Sequence, residues 1–180
     1  NLLEIARHNH QQLHATGVLY FNTTAGEYLK STKDFFDLIY LDPSRRSSGN
    51  RRVFSFVDCE PDLTNLLPTI FRKTNHLLVK AAPLLDLQQG LKSLTFVKQV
   101  FVIAVENECK ELLFYCEMNF NGEPTIGATN LSKGSSSVDF KFKFSEERLT
   151  TPTYSNPLSY LYEPTAAILK AGAFKLVGTR

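Results

Sequence analysis

The sequence predicts an α/β protein whose open, doubly wound sheet ends in an antiparallel hairpin. Two apolar runs, at 35–41 and 76–82, are too continuous for strands with one wet face and suit parallel strands covered on both faces. Stretches with helical spacing separate the strands, as crossover connections require. Two long β-prone runs, at 95–105 and 112–120, are joined only by ENECKE, so they return antiparallel.

Composition bounds the rest. At 180 residues, 43% apolar and 21% charged, the chain can bury one core of ordinary size and is not a disordered one. A net charge of +2 is too small to argue for nucleic acid, although a local cluster can bind phosphate without moving the total. No apolar run approaches the roughly 20 residues that cross a bilayer, and the first residues lack the regions of a signal peptide. A cytoplasmic protein with no membrane partner is the expectation. Cys59, Cys109 and Cys116 are an odd set with no C-x-x-C spacing, which predicts reduced thiols and no zinc knuckle. His10 and His14 have the spacing that can share a metal, but the glutamate of H-E-x-x-H is missing and the segment is otherwise polar. No metal site is expected, and His8, His10 and His14 read as a solvent face.

Taken in order, Leu2, Ile5, Ala6 and Leu13 form one stripe of an amphipathic helix over 2–13. Val18–Phe21 is a short β-prone run ending on the small polar groups Asn22, Thr23 and Thr24. Residues 27–35 make a short helix or turn that leads into the strand FDLIYL. That strand stops on Asp42 and Pro43. Proline cannot donate to a ladder and holds the preceding residue extended, so a carboxylate is fixed at the carboxyl end of a parallel strand, where open α/β sheets bind ligands. Arg45, Arg46, Arg51 and Arg52 follow within the loop SRRSSGNRR. Such a run is ordinarily solvated; beside Asp42 it is also a candidate contact for phosphate.

Leu63, Leu66, Leu67, Ile70 and Phe71 fit a helix, with Pro61 suited to its first turn and Pro68 expected to restart it. HLLVKAA is a second buried parallel strand, and it places Lys80 at the same sheet edge as Asp42. The ordinary reading of Lys80 is a side chain snorkelling to the rim. Residues 84–94 are helical, and the charges of ENECKE are expected to face solvent. Gly122, Gly127 and Gly134, with the serines of SKGSSS, mark 121–137 as a loop. VDFKFKF alternates as a half-exposed strand does. TTPTYSNP reads as a linker, and a helix opens at Pro164 with Ala167, Ile168 and Ala171 on its buried side. The predicted division is 1–150 and 151–180.

A strand ending in D-P, another ending beside a lysine and a terminal antiparallel hairpin together resemble the sheet of class I S-adenosylmethionine-dependent methyltransferases. More narrowly, LDPSRR, DCEPDL, LVKAAPLLDL, NECKELL and YLYEPTAAILKAGAF are similar, in that order, to the motifs of a bacterial family provisionally named RNA methyltransferases, with ferredoxin-like and THUMP-like C-terminal domains. The resemblance implies that 1–150 is the C-terminal part of a Rossmann-like methyltransferase domain and that 151–180 is a linker and the first helix of a ferredoxin-like accessory domain. It implies S-adenosylmethionine as cofactor and RNA as partner. Asp42 and Pro43 would stand at the reaction edge, Asn22, Thr24, Ala25 and Asp42 at the cofactor, and Arg45, Arg46, Arg51, Arg52 and Lys80 at the substrate.

The family's acidic, glycine-rich cofactor loop has no counterpart, because the nine glycines include no G-x-G pair. Thr24 stands where methyltransferases often place an acid near the adenine. The expectation is therefore an inactive fragment of an enzyme, with about half of the cofactor's binding shell. Cys59 is a conceivable nucleophile for pyrimidine C5 chemistry, although one loop cysteine without a basic neighbour is ordinarily inert. A noncatalytic α/β scaffold that presents its arginine loop to RNA or to a protein is the alternative. A nucleotide-dependent oxidoreductase or kinase is disfavoured, since neither G-x-G-x-x-G nor G-x-x-x-x-G-K-[ST] occurs.

Overall fold

A computed structural model describes residues 2–45, 56, 59–134 and 139–180, with Arg45 described by its backbone. The chain divides into two units, Asn1–Asp34 and Phe35–Arg180.

In the first unit, α1 (Leu2–Gln12) has no buried residue. Val18–Phe21 does not form the expected strand. Its aromatic rings bind helices of the unit instead: the Tyr20 hydroxyl lies 2.6 Å from His10 Nδ1, and the Phe21 ring is centred 4.5 Å from that of Tyr28. These side-chain contacts hold the run without a ladder partner. α2 (Ala25–Ser31) begins in a capping box. The Thr24 hydroxyl accepts from the Glu27 N–H, and the Glu27 carboxylate accepts in return from the Thr24 N–H.

The second unit is built on six strands. β1 (Ile39–Leu41), β4 (His76–Ala81), β5 (Val97–Val105), β6 (Glu108–Glu117), β7 (Thr125–Leu131) and β8 (Asp139–Phe142) lie in the order β1-β4-β6-β5-β7-β8. β1 is parallel to β4, and β7 is parallel to β5. β6 is antiparallel to both β4 and β5, so the returning arm of the hairpin is inserted between two strands that precede it. The hairpin turns on Glu106 and Asn107, with φ of 49° and 60°, the positive pair that two-residue hairpin turns require. β6 therefore starts at Glu108, earlier than the apolar run suggests. A separate ribbon pairs β2 (Ser44–Arg45) with β3 (Cys59–Glu60).

One face of the sheet is the core. Leu77, Val79, Val100, Val102, Leu112, Phe114 and Ile126 are fully buried there. Helices α3 (Leu63–Ile70) and α4 (Leu87–Ser93) add Leu63, Leu67, Ile70 and Leu87, and α6 (Ala166–Ala171) adds Ala167 and Ala171. Gly90 lets α4 approach closely, since a Cβ there would lie 2.5 Å from Phe114 Cζ. The other face carries Leu78, Phe101, Ile103, Leu113 and Tyr115, all half-buried. β1 was expected to be central and covered on both faces. Among the described residues it pairs only with β4, so it is an edge strand, and Leu38 and Tyr40 are 47% and 52% exposed.

Two further expectations need correction. α3 runs through Pro68 instead of restarting there, held on both sides of the proline by buried Leu66, Leu67 and Ile70. It is Asp62, not Pro61, that opens the helix, accepting from the Thr64 and Asn65 N–H groups. The expected loop at 121–137 contains β7. Gly127 is no turn residue there; a Cβ would meet nothing closer than 3.8 Å. Residues 135–138 of that loop lie outside the described residues. The remaining helix, α5 (Phe144–Leu149), lies between β8 and the irregular stretch that leads to α6.

Candidate functional site

The parallel pair β1 and β4 determines the geometry of the site. Leu41 is in register with Val79, so the residues that follow, Asp42 and Lys80, reach the same end of the sheet. Lys80 Nζ donates to Asp42 Oδ2 at 2.7 Å. Glu111 of β6 adds a second carboxylate, 3.8 Å from Lys80 Nζ. The hydrogen bond to Asp42 raises the Lys80 pKa, and the charges of Asp42 and Glu111 add to it against partial burial. Lys80 is thus fixed as an ammonium at the carboxyl ends of two parallel strands. Asp42 remains half exposed, able to meet a second partner.

The snorkelling reading of Lys80 is therefore replaced by an ion pair between two strand ends. Glu111 was not foreseen, because ENECKE was read as a solvent-facing turn. In a strand, residues two apart share a face, and Glu111 shares that of the half-buried Leu113. The turn's other charges are partly engaged too: Glu106 accepts from the Lys133 N–H, and Glu108 pairs with Lys110. The β2–β3 ribbon brings Cys59 into register with Arg45, directly beyond Asp42 and Pro43. No sequence signal announced a pairing of two residues each.

Asn22, Thr24 and Ala25 belong to the first unit and Asp42 to the second. Asn22 is exposed, Thr24 is the cap of α2, and Ala25 is its first residue. Arg46, Arg51 and Arg52 lie outside the described residues, and of Arg45 only the backbone pairing is known. Among the described residues no group of His, Cys, Asp and Glu side chains could hold a metal ion, and no helix is long and apolar enough to cross a membrane.

The fold of the chain matches a solved structure. A crystal structure from Porphyromonas gingivalis W83, of a protein provisionally named a methyltransferase, superposes with a TM-score of 0.70 and is 38% identical in sequence. The sheet matches a Rossmann-like methyltransferase fold. The match covers 79% of this chain and 35% of the other, so the chain spans about a third of the relative's length. A ferredoxin-like domain model matches residues 160–180, which include α6. No curated protein matches the chain.

Proposed function

We propose that this chain is part of an S-adenosylmethionine-dependent methyltransferase that acts on RNA, with 1–150 a partial methyltransferase domain and 151–180 the start of an accessory domain. The observation that carries this reading is the 38% identity, over 79% of the chain, with a protein named for methyl transfer. The edge described above suits the chemistry. Methyl transfer requires a nucleophile held in line with a sulfonium carbon, and positioning groups can supply much of the acceleration. S-Adenosylmethionine, when bound, supplies that electrophilic methyl group.

The residues present fit the cofactor in part. Asp42 offers a half-exposed carboxylate acceptor on a backbone stiffened by Pro43, and Lys80 holds that carboxylate in place from the adjacent strand. The G-x-G turn is absent from the sequence, and the Thr24 hydroxyl is engaged with Glu27. On this reading Asp42 orients substrate or cofactor at the strand end, and Arg45, Arg46, Arg51 and Arg52 contact RNA phosphates.

The test is methyl transfer from isotopically labelled S-adenosylmethionine to RNA by the full-length protein. Asp42→Ala should lower turnover at least tenfold with the fold intact by circular dichroism, a barrier change of about 1.4 kcal/mol. Unchanged turnover would remove Asp42 from the site.

A further inference from the structure

Helices α4, α5 and α6 enclose a groove of about 720 Å³ on the helical side of the second unit. That is the size of pockets that hold small organic ligands. Leu91, Phe144 and Leu169 give it an apolar wall. Phe174 stands at its edge, 68% exposed.

The rim is cationic. Lys92 comes from α4, Arg148 from α5 and Lys170 from α6. Two acids also line the groove, but both serve the backbone. Asp86 accepts from the Gln89 N–H at 2.8 Å, and buried Glu147 accepts from the Lys175 and Leu176 N–H groups at 2.9 and 3.0 Å. Elsewhere in the unit Lys80, Lys98, Lys110, Lys141 and Arg180 each sit against a carboxylate, whereas Arg72, Lys133, Lys143 and Lys175 form no ion pair among the described residues. Lys92, Arg148 and Lys170 form no ion pair among the described residues. Three cations from three helices thus converge on one groove without an ion-pair partner, Arg148 within electrostatic reach of Glu123, and they outnumber the two carboxylates of the groove beside an exposed aromatic ring.

We propose that this groove binds a single-stranded RNA segment, with phosphates on Lys92, Arg148 and Lys170 and a base stacked on Phe174. Tracks of cations beside aromatic rings are how proteins hold single strands without reading sequence. An acidic peptide would satisfy the cations but leave the ring without a planar partner. The inference rests on the RNA reading above and deepens it, by giving the strand a second binding region on the helical face. It takes no part in the methyl transfer step.

The experiment is fluorescence anisotropy of a labelled oligouridylate of about ten nucleotides with the full-length protein over a salt series. The Lys92→Glu, Arg148→Glu double variant changes two exposed side chains and should weaken binding at least tenfold. It should also flatten the dependence of log K on log salt by about 1.4, or roughly 0.7 for each phosphate that is no longer neutralised. Phe174→Ala should weaken binding about fivefold or more and leave the salt slope alone. Unchanged affinity and slope in the double variant would overturn the proposal. So would a wild-type protein that does not bind the oligonucleotide, or displacement of the RNA by poly-glutamate of equal charge as readily as by unlabelled RNA. Methyl transfer assayed in parallel separates the two readings. RNA methylation with binding insensitive to the groove variants sinks the groove alone, and groove-dependent binding without methylation sinks the substrate reading alone.

Discussion

Gly90→Ala should destabilise the second unit, although it replaces the poorer helix former with the best one. In an exposed helix interior that exchange stabilises by about 0.8–1 kcal/mol. In α4 the new methyl carbon would stand 2.5 Å from Phe114 Cζ, 2.8 Å from Cε1 and 3.3 Å from Leu85 Cδ2. Carbon atoms pack best at about 3.5–4.0 Å, so the ring or the helix must move. The ring has nowhere to go. Phe114 is fully buried on a strand paired on both sides, and it meets Phe56 edge to face with centroids 5.5 Å apart. Overpacking of this kind costs about 1–3 kcal/mol, and so close an overlap puts the cost near the upper end. The net loss is then about 2 kcal/mol, which urea denaturation resolves as a lower midpoint at constant slope. In the Phe114→Leu background the space opens, and the same glycine substitution should become neutral or stabilising. Unchanged or higher stability of Gly90→Ala in the wild-type background would refute the reasoning, as would simple additivity of the two changes.

Other outcomes follow from the same unit. Glu147→Ala removes the acceptor of two backbone N–H groups, Lys175 and Leu176; it should cost about 2 kcal/mol in the same denaturation assay, with Glu147→Gln intermediate. The Ser145 hydroxyl, and then its N–H, hold the Glu123 carboxyl below its ordinary value of 4.5. A depressed folded pKa means stability that is fully present above about 4.5 and lost as pH falls through the lower folded value, so Glu123→Gln should show a shallower acid loss in thermal melts below pH 4.5. Burial pushes the Cys116 thiol up to about 12. It should resist iodoacetamide at pH 8 in the folded protein and react only on unfolding, as read by peptide mass spectrometry.

What could be read from the sequence depended on whether a signal was local. β4 was legible because Leu77, Leu78 and Val79 are consecutive apolar residues and Ala81 and Ala82 follow Lys80, and the hairpin because its connection is too short for any other return. That Asp42 and Lys80 share a sheet edge followed from β1 and β4, since two parallel strands in register bring their ends together whatever the intervening chain does; that they pair did not. β7 was hidden by composition, since Thr, Gly, Ala and Asn fill a strand whose partners on both sides supply the apolar bulk. The edge position of β1 could not be read, because an apolar run reports its own hydrophobicity and not the number of its neighbours. Val18–Phe21 carried β-prone residues, but its rings found helix partners instead. Cys59 and Glu111 reached the neighbourhood of Asp42 through pairings between distant residues, which leave no periodic trace.

The insertion of β6 between β4 and β5 also imposes an order in time. A ribosome delivers β4 first, then α4 and β5, and among the described strands β4 has only β1 to pair with until residues 112–117 have emerged. Throughout that interval β4 presents the N–H and C=O groups of a buried strand along an open edge, the kind of surface on which nascent chains join one another. The tight turn at Glu106 and Asn107 shortens the exposure, since two-residue turns close within microseconds and return β6 as soon as it exists. The central ladder of the sheet is therefore completed only once β6 has been delivered. Because synthesis at about 5–20 residues per second is far slower than the turn, the time taken to make residues 82–117 governs how long the widest gap stays open.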